Sequence, residues 1–162
     1  MINALEYANI KFQANNDFIH YIGKEVDDVF IDASVKNGDV GATQAAKDNL
    51  NIVFTSLHGT SITAVPETLK RAGYKNVNLV KEQEKPDGDF PTVASPNPEE
   101  PAALKMALKL AEKENADIVI GTDPDCDRLG VAVRNSEGKM QLLNGNQTMV
   151  MMVDFLLKKW KS

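Results

Sequence analysis

The run Asp117-Ile118-Val119-Ile120-Gly121 passes straight into Thr122-Asp123-Pro124-Asp125-Cys126-Asp127-Arg128, and that junction narrows the possible folds more than any other feature of the chain. Five residues of this composition read as a buried strand. Open α/β sheets bind ligands beyond the carboxyl ends of their strands, which is where the acidic heptad falls. Upstream, Asn51 to Ser56 is a second β-favouring run, closed by Leu57-His58-Gly59-Thr60 and followed by a helix from about Thr63 to Ala72 that Gly73 stops. Val77 to Val80 reads as the strand that completes a βαβ-like unit, and Lys81 to Pro98, rich in Pro, Asp and Gly, as a long loop.

The stretch Asn97-Pro98-Glu99-Glu100 has the chemistry of a helix start: Asn caps free N–H groups, Pro needs no N–H there, and the two Glu favour the positive dipole end. The helix is predicted to reach about Asn115, with Ala103, Leu104, Ala107, Leu108, Leu110 and Ala111 on one face. Leu129 to Arg134 and Lys139 to Leu143 read as a hairpin joined across Asn135 to Gly138, and a last helix runs from about Gln147 to Trp160. Near the start, Ile10 to Phe12 and Phe18 to Ile22 read as short strands, and Lys24 to Val35 has helical spacing. The expectation is an α/β domain, three-layer α/β/α, with a mixed sheet of about four strands.

At 162 residues and 43% hydrophobic, the chain can bury one core without disulfides or a structural metal. Its 23 acidic and 18 basic side chains show no basic stripe, so nucleic acid is not an expected partner. A single cysteine excludes an internal disulfide, and with two histidines it cannot build a Cys/His zinc site; a reducing, cytoplasmic setting is expected. The apolar stretches Met149 to Val153 and Phe155 to Leu157 are split by Asp154 and fall short of the roughly 20 residues of a membrane span. No signal peptide is read at the start.

Asp123, Asp125 and Asp127 alternate with Pro124 and Cys126, so a turning loop aims three carboxylates into one space. They repel one another unless a divalent cation joins them, and all-oxygen ligands favour Mg²⁺, Mn²⁺ or Ca²⁺. An EF-hand loop would need Gly and Glu where Arg128 and Arg134 stand, and a haloacid-dehalogenase Asp would follow the apolar run without Gly121-Thr122 between. The plain alternative is a solvated acidic turn, which most such clusters are. Arg128 adds a planar fork suited to phosphate oxygens, or else neutralises the loop.

Thr122 to Gly130 resembles the magnesium loop of the α-D-phosphohexomutases, the phosphoglucomutase and phosphomannomutase family. Further matches keep the family's order: Ser56-Leu57-His58-Gly59-Thr60 is similar to its His-Gly loop, Asp89 to Val93 with Pro96 to Glu100 to the loop before the long helix of its second domain, and Leu143 to Gln147 to the start of its third. The resemblance implies a four-domain enzyme that moves a phosphoryl group between two hydroxyls of a hexose or pentose phosphate through a phosphoserine and a bisphosphorylated intermediate. It implies that Asp123, Asp125 and Asp127 hold Mg²⁺, that Arg128 contacts phosphate or substrate, and that His58 either touches substrate or hydrogen-bonds within its own loop.

On this reading, residues 1–41 lead in from a first domain, 42–143 form the metal-binding domain, and 144–162 begin a third whose core would cover Met149 to Leu157 and Trp160. Its partners are a sugar phosphate and the other domains of the parent chain, and the chain alone is expected to be inactive. The family's nucleophile motif, Thr-Ala-Ser-His-Asn-Pro, is absent. Ser95 sits in a look-alike, Val93-Ala94-Ser95-Pro96-Asn97-Pro98, with Pro96 in place of the His, and is read as a decoy. Ser61 stands where the family often has Gly. The Thr-Asp-Pro-Asp form leans away from phosphoglucosamine mutases. A stand-alone metal-dependent binding or regulatory module is the alternative.

Overall fold

A computed structural model describes residues 6–160, the side chain of Trp160 excepted. Apolar, β-branched runs form the centre: β1 (Asn51–Thr55), β2 (Asn76–Leu79), β3 (Ile118–Thr122), β4 (Leu129–Arg134) and β5 (Met140–Leu143) make one sheet in the order β2-β1-β3-β4-β5. The sheet therefore has five strands against the expected four or so, both strands of the hairpin joining it through β3. β2 and β3 flank β1 in parallel, while β3-β4 and β4-β5 are antiparallel.

Among the described residues five helices surround it: α1 (Lys24–Gly38), α2 (Gln44–Asn49), α3 (Val65–Arg71), α4 (Lys105–Lys113) and α5 (Gly145–Trp160). The chain leaves β1 through α3 to β2 on one side, then returns through α4 to β3 on the other. Right-handed crossovers in opposite directions put α3 and α4 on opposite faces. In register, Val53, Val119, Ala132 and Leu142 form a row across the sheet, and this row packs with Ala107 and Ala111 of α4 into the principal core.

Several boundaries moved for local reasons. α4 begins at Lys105 and not at Pro98. The first intrahelical bond after an Asn97 cap would come from the N–H of residue 101, which is Pro101. Glu100 N–H takes the Asn97 carbonyl instead, and the chain turns until Lys105. Asn97 still caps locally, its Oδ1 accepting from Glu99 N–H at 3.1 Å. At the other end Asn115 adopts φ 50° and Ala116 N–H closes back on Ala111 O at 2.8 Å, a left-handed stop. Gly73, at φ 93°, ends α3 in the same way.

The short strands expected near the start are not formed; 3-10 turns stand at Tyr7–Asn9 and Asn16–Phe18 instead. α1 packs on α3, and Arg71 of α3 bonds Asp28 and Asp32 of α1 and Glu67 of its own helix at 2.5, 2.9 and 2.8 Å. α5 leaves Met149 to Val153 and Phe155 to Leu157 exposed; the reading given to Trp160 lies outside the described side chains. Among the described residues no helix is long and apolar enough to cross a membrane.

Candidate metal centre

The strand order reverses between β1 and β3, so the loops leaving their carboxyl ends meet at the switch point where such sheets bind ligands. One is Ser56 to Ser61; the other is the acidic heptad. Three bonds join them: Thr60 donates to the Pro124 carbonyl from its N–H at 2.9 Å and from its hydroxyl at 3.0 Å, and the Ser61 and Thr122 hydroxyls lie 2.6 Å apart. Gly59 rests directly against the Pro124 backbone, where any β-carbon would collide.

Asp123 follows β3 immediately and is 0% exposed. Its carboxylate accepts from Arg128 N–H at 2.9 Å and from Arg128 Nε–H at 2.7 Å. Asp125 and Asp127 are exposed, yet each of the three aspartates offers an oxygen within 4.8 Å of the others. The loop closes by Cys126 N–H donating to Asp123 O at 3.1 Å, with Cys126 itself at φ 63°.

Charge crowding shows in the acidities. Burial pushes the Asp123 carboxyl up, but the Arg128 N–H, the Arg128 guanidinium and a hydrogen bond with Asp127 together outweigh it and hold the group below the usual carboxylate range. Asp127 goes the other way, raised by that hydrogen bond with Asp123 and by the charges of Asp125 and Asp123. Arg128 is held more firmly protonated by its bond to Asp123. Its side chain is half exposed, and of its guanidinium nitrogens only Nε is hydrogen-bonded among the described residues, leaving the outer edge to meet an anion. Three convergent carboxylates, one with its proton affinity raised by the other two, form a donor set that suits a hard divalent cation.

His58 is 4% exposed, and both ring nitrogens are engaged within the protein: Nδ1 with Lys85 O at 3.0 Å and Nε2 with Thr92 Oγ1 at 2.9 Å. Ser95 donates its hydroxyl to Glu100 at 3.4 Å, within the turn before α4. The heptad was legible as a unit; the Thr60–Pro124 clasp was not, because its partners lie 64 residues apart and Thr60 carries no charge pattern. Gln83 is fully buried and bonds Thr55 and Thr92, a role that no local pattern in its Pro- and Asp-rich stretch signals.

The family model described as "Phosphoglucomutase/phosphomannomutase, alpha/beta/alpha domain II" matches residues 28–138. The chain belongs to the phosphoglucomutase/phosphomannomutase family. Phosphoglucomutase of Staphylococcus aureus strain MRSA252 is 46% identical over 113 residues, 70% of this chain and 20% of that protein. The strain COL phosphoglucomutase is 45% identical over the same length. The chain thus spans about a fifth of the length of these phosphoglucomutase relatives. A phosphoglucomutase/phosphomannomutase family protein from Burkholderia thailandensis superposes with TM-score 0.65 at 22% identity, over 83% of this chain and 26% of that one. A structure from Thermus thermophilus gives TM-score 0.66 at 20% identity, over 83% of this chain and 29% of that one. At those identities the two structures speak for the family's fold, the mixed α/β architecture described above.

Proposed function

We propose that this is the magnesium-binding domain of an enzyme that moves a phosphoryl group between two hydroxyls of a hexose or pentose phosphate, using a phosphoserine supplied by another domain of the whole protein. The convergence of Asp123, Asp125 and Asp127 at the β1/β3 switch point, with the free edge of Arg128 beside them, is the observation that carries this reading. Residues 1–41 then lead in from the preceding domain, with α1 docked on α3, and 144–162 begin the next. The exposed apolar face of α5 supports that division.

The three aspartates would hold Mg²⁺. When bound, the ion neutralises charge on the transferring phosphoryl oxygens. Asp123 supplies a carboxylate already ionised and immobilised by Arg128, so little reorganisation is needed at that ligand. Arg128, oriented through Nε, presents its remaining N–H groups to phosphate oxygens in a planar fork that a lysine lacks. Asp125 and Asp127, being exposed, are open to a phosphoserine supplied by another domain.

The test is titration of the 162-residue chain with Mg²⁺, wild type against Asp125→Ala, with and without inorganic phosphate. Weak binding that phosphate strengthens, and that the substitution abolishes, is expected. Tight micromolar binding without phosphate would show the loop complete by itself and remove the need for a phosphoserine ligand. Robust glucose-1-phosphate conversion by the purified chain would overturn the dependence on other domains.

A further inference from the structure

Every polar heavy atom of His58 is hydrogen-bonded to one short segment of the chain. Its N–H donates to Gln83 O at 3.0 Å, its carbonyl accepts from Asp87 N–H at 3.0 Å, Nδ1 meets Lys85 O at 3.0 Å, and Nε2 meets Thr92 Oγ1 at 2.9 Å. A backbone carbonyl only accepts, so Nδ1 carries a proton, and in the neutral ring Nε2 then accepts from the Thr92 hydroxyl. The chain of bonds continues inward. Gln83 Nε2–H donates to Thr92 Oγ1 at 2.9 Å, and the Thr55 hydroxyl at the end of β1 donates to Gln83 Oε1 at 2.7 Å. Among the described residues no buried side-chain polar atom is left unbonded.

The relay holds an unfavourable backbone. Leu57 and His58 stand consecutively in the left-handed region, at φ 47° and 63°, which costs non-glycine residues roughly 1–2 kcal/mol apiece. Such a pair persists only where its surroundings over-determine it. Leu57 is anchored by complete burial and by its N–H to Thr55 Oγ1 at 3.1 Å; His58 is anchored by the four bonds above. The double left-handed turn throws Gly59 and Thr60 toward β3, where Gly59 lies flat on Pro124 and Thr60 bonds its carbonyl twice. Pro124 separates Asp123 from Asp125.

We infer that His58 is a positioning residue for the aspartate loop: it fixes the turn whose next two residues clamp Pro124, and so sets the spacing between the first two carboxylates. The inference rests on the metal reading for its consequence, though its structural half stands without it. Two substitutions separate the backbone from the ring. His58→Asn tolerates the left-handed backbone and places an N–H near the Lys85 carbonyl while losing Thr92; His58→Ala loses both ring bonds.

The experiment compares the wild-type chain with these two variants by amide hydrogen exchange and by Mn²⁺ titration in inorganic phosphate. In His58→Ala the Thr60 and Arg128 amides are expected to exchange at least about tenfold faster relative to Val119 in the core, with Mn²⁺ affinity about tenfold weaker. His58→Asn should recover most of both. Uniform acceleration of all amides, or unchanged Thr60 exchange in a folded His58→Ala chain, would reduce His58 to a packing residue and overturn the proposal. Should wild type bind no Mn²⁺, the metal reading alone falls, and Thr60 exchange still decides the role of His58. Thr92→Val, which at nearly equal volume removes the Nε2 partner together with the acceptor of Gln83 Nε2–H, serves if His58→Ala does not fold, with the same two outcomes.

Discussion

Arg128 grips Asp123 twice, backbone N–H to Oδ1 at 2.9 Å and Nε–H to Oδ2 at 2.7 Å, from only five positions along the chain. One side chain thereby orients the buried carboxylate and aims its own free edge outward. Arg128→Lys keeps the charge and the backbone bond but loses the planar fork. Phosphate-enhanced Mn²⁺ binding by that variant should fall about tenfold, while the weaker binding without phosphate changes much less. Calorimetric titration under both conditions reads the difference; an equal loss in both would assign Arg128 to ordering Asp123 alone.

Gly59→Ala should displace the aspartate loop, since a β-carbon there would strike the Pro124 backbone, which has no flexible end to move aside. Overpacking of this kind costs about 1–3 kcal/mol. Denaturant unfolding should show that loss, and Mn²⁺ affinity should fall with it because Thr60 is pulled off Pro124.

Cys126 adopts φ 63° on the exposed rim of the loop. Cys126→Gly removes the left-handed penalty at an exposed position, so a stabilisation on the order of 1 kcal/mol is expected, partly offset by glycine's larger unfolded-state entropy. Thermal unfolding checks the sign. In the parent chain, alkylation of Cys126 should slow when Mg²⁺ is bound.

The α1–α3 contact should be acid-sensitive. Asp28 is held below its ordinary 3.8 by the Arg71 hydrogen bond first and by Lys24 second, and Arg71 lowers Glu67 in the same way. A carboxyl whose folded pKa lies below its unfolded value contributes its full stabilisation above the unfolded value and loses it as pH falls through the folded one. Docking of α1 should therefore be constant from neutral pH down to about 5 and weaken progressively below that. Limited proteolysis within Lys24–Gly38 as a function of pH follows it, and Arg71→Met should show the acid-state cleavage pattern already at neutral pH.

The sheet's parallel half and the acidic loop were readable from local pattern, and the family from the resemblance of motifs kept in order. Apolar runs ending in Gly or Asp, the Gly73 stop and the Asn135 to Gly138 turn each act over a few residues, and short-range chemistry survives translation into a string. Where local signals competed, the reading failed: the cap chemistry at Asn97 is present, yet Pro101 withholds the bond that would have started α4 there. The start of the chain carried apolar residues without a partner to pair with, and strands do not form without one.

By itself the sequence determined that three aspartates and an arginine would stand at the end of a buried strand, because their spacing and the strand's composition are properties of neighbours. Only the tertiary structure decided that Asp123 would be sealed and ionised while Asp125 and Asp127 stay open to solvent. It alone placed His58 in the relay that steadies Pro124 through Thr60. That relay ties His58 to Lys85, 27 positions on, and Thr60 to Pro124, 64 positions on, and the second tie exists only after β1 and β3 have paired and brought their loops to one edge.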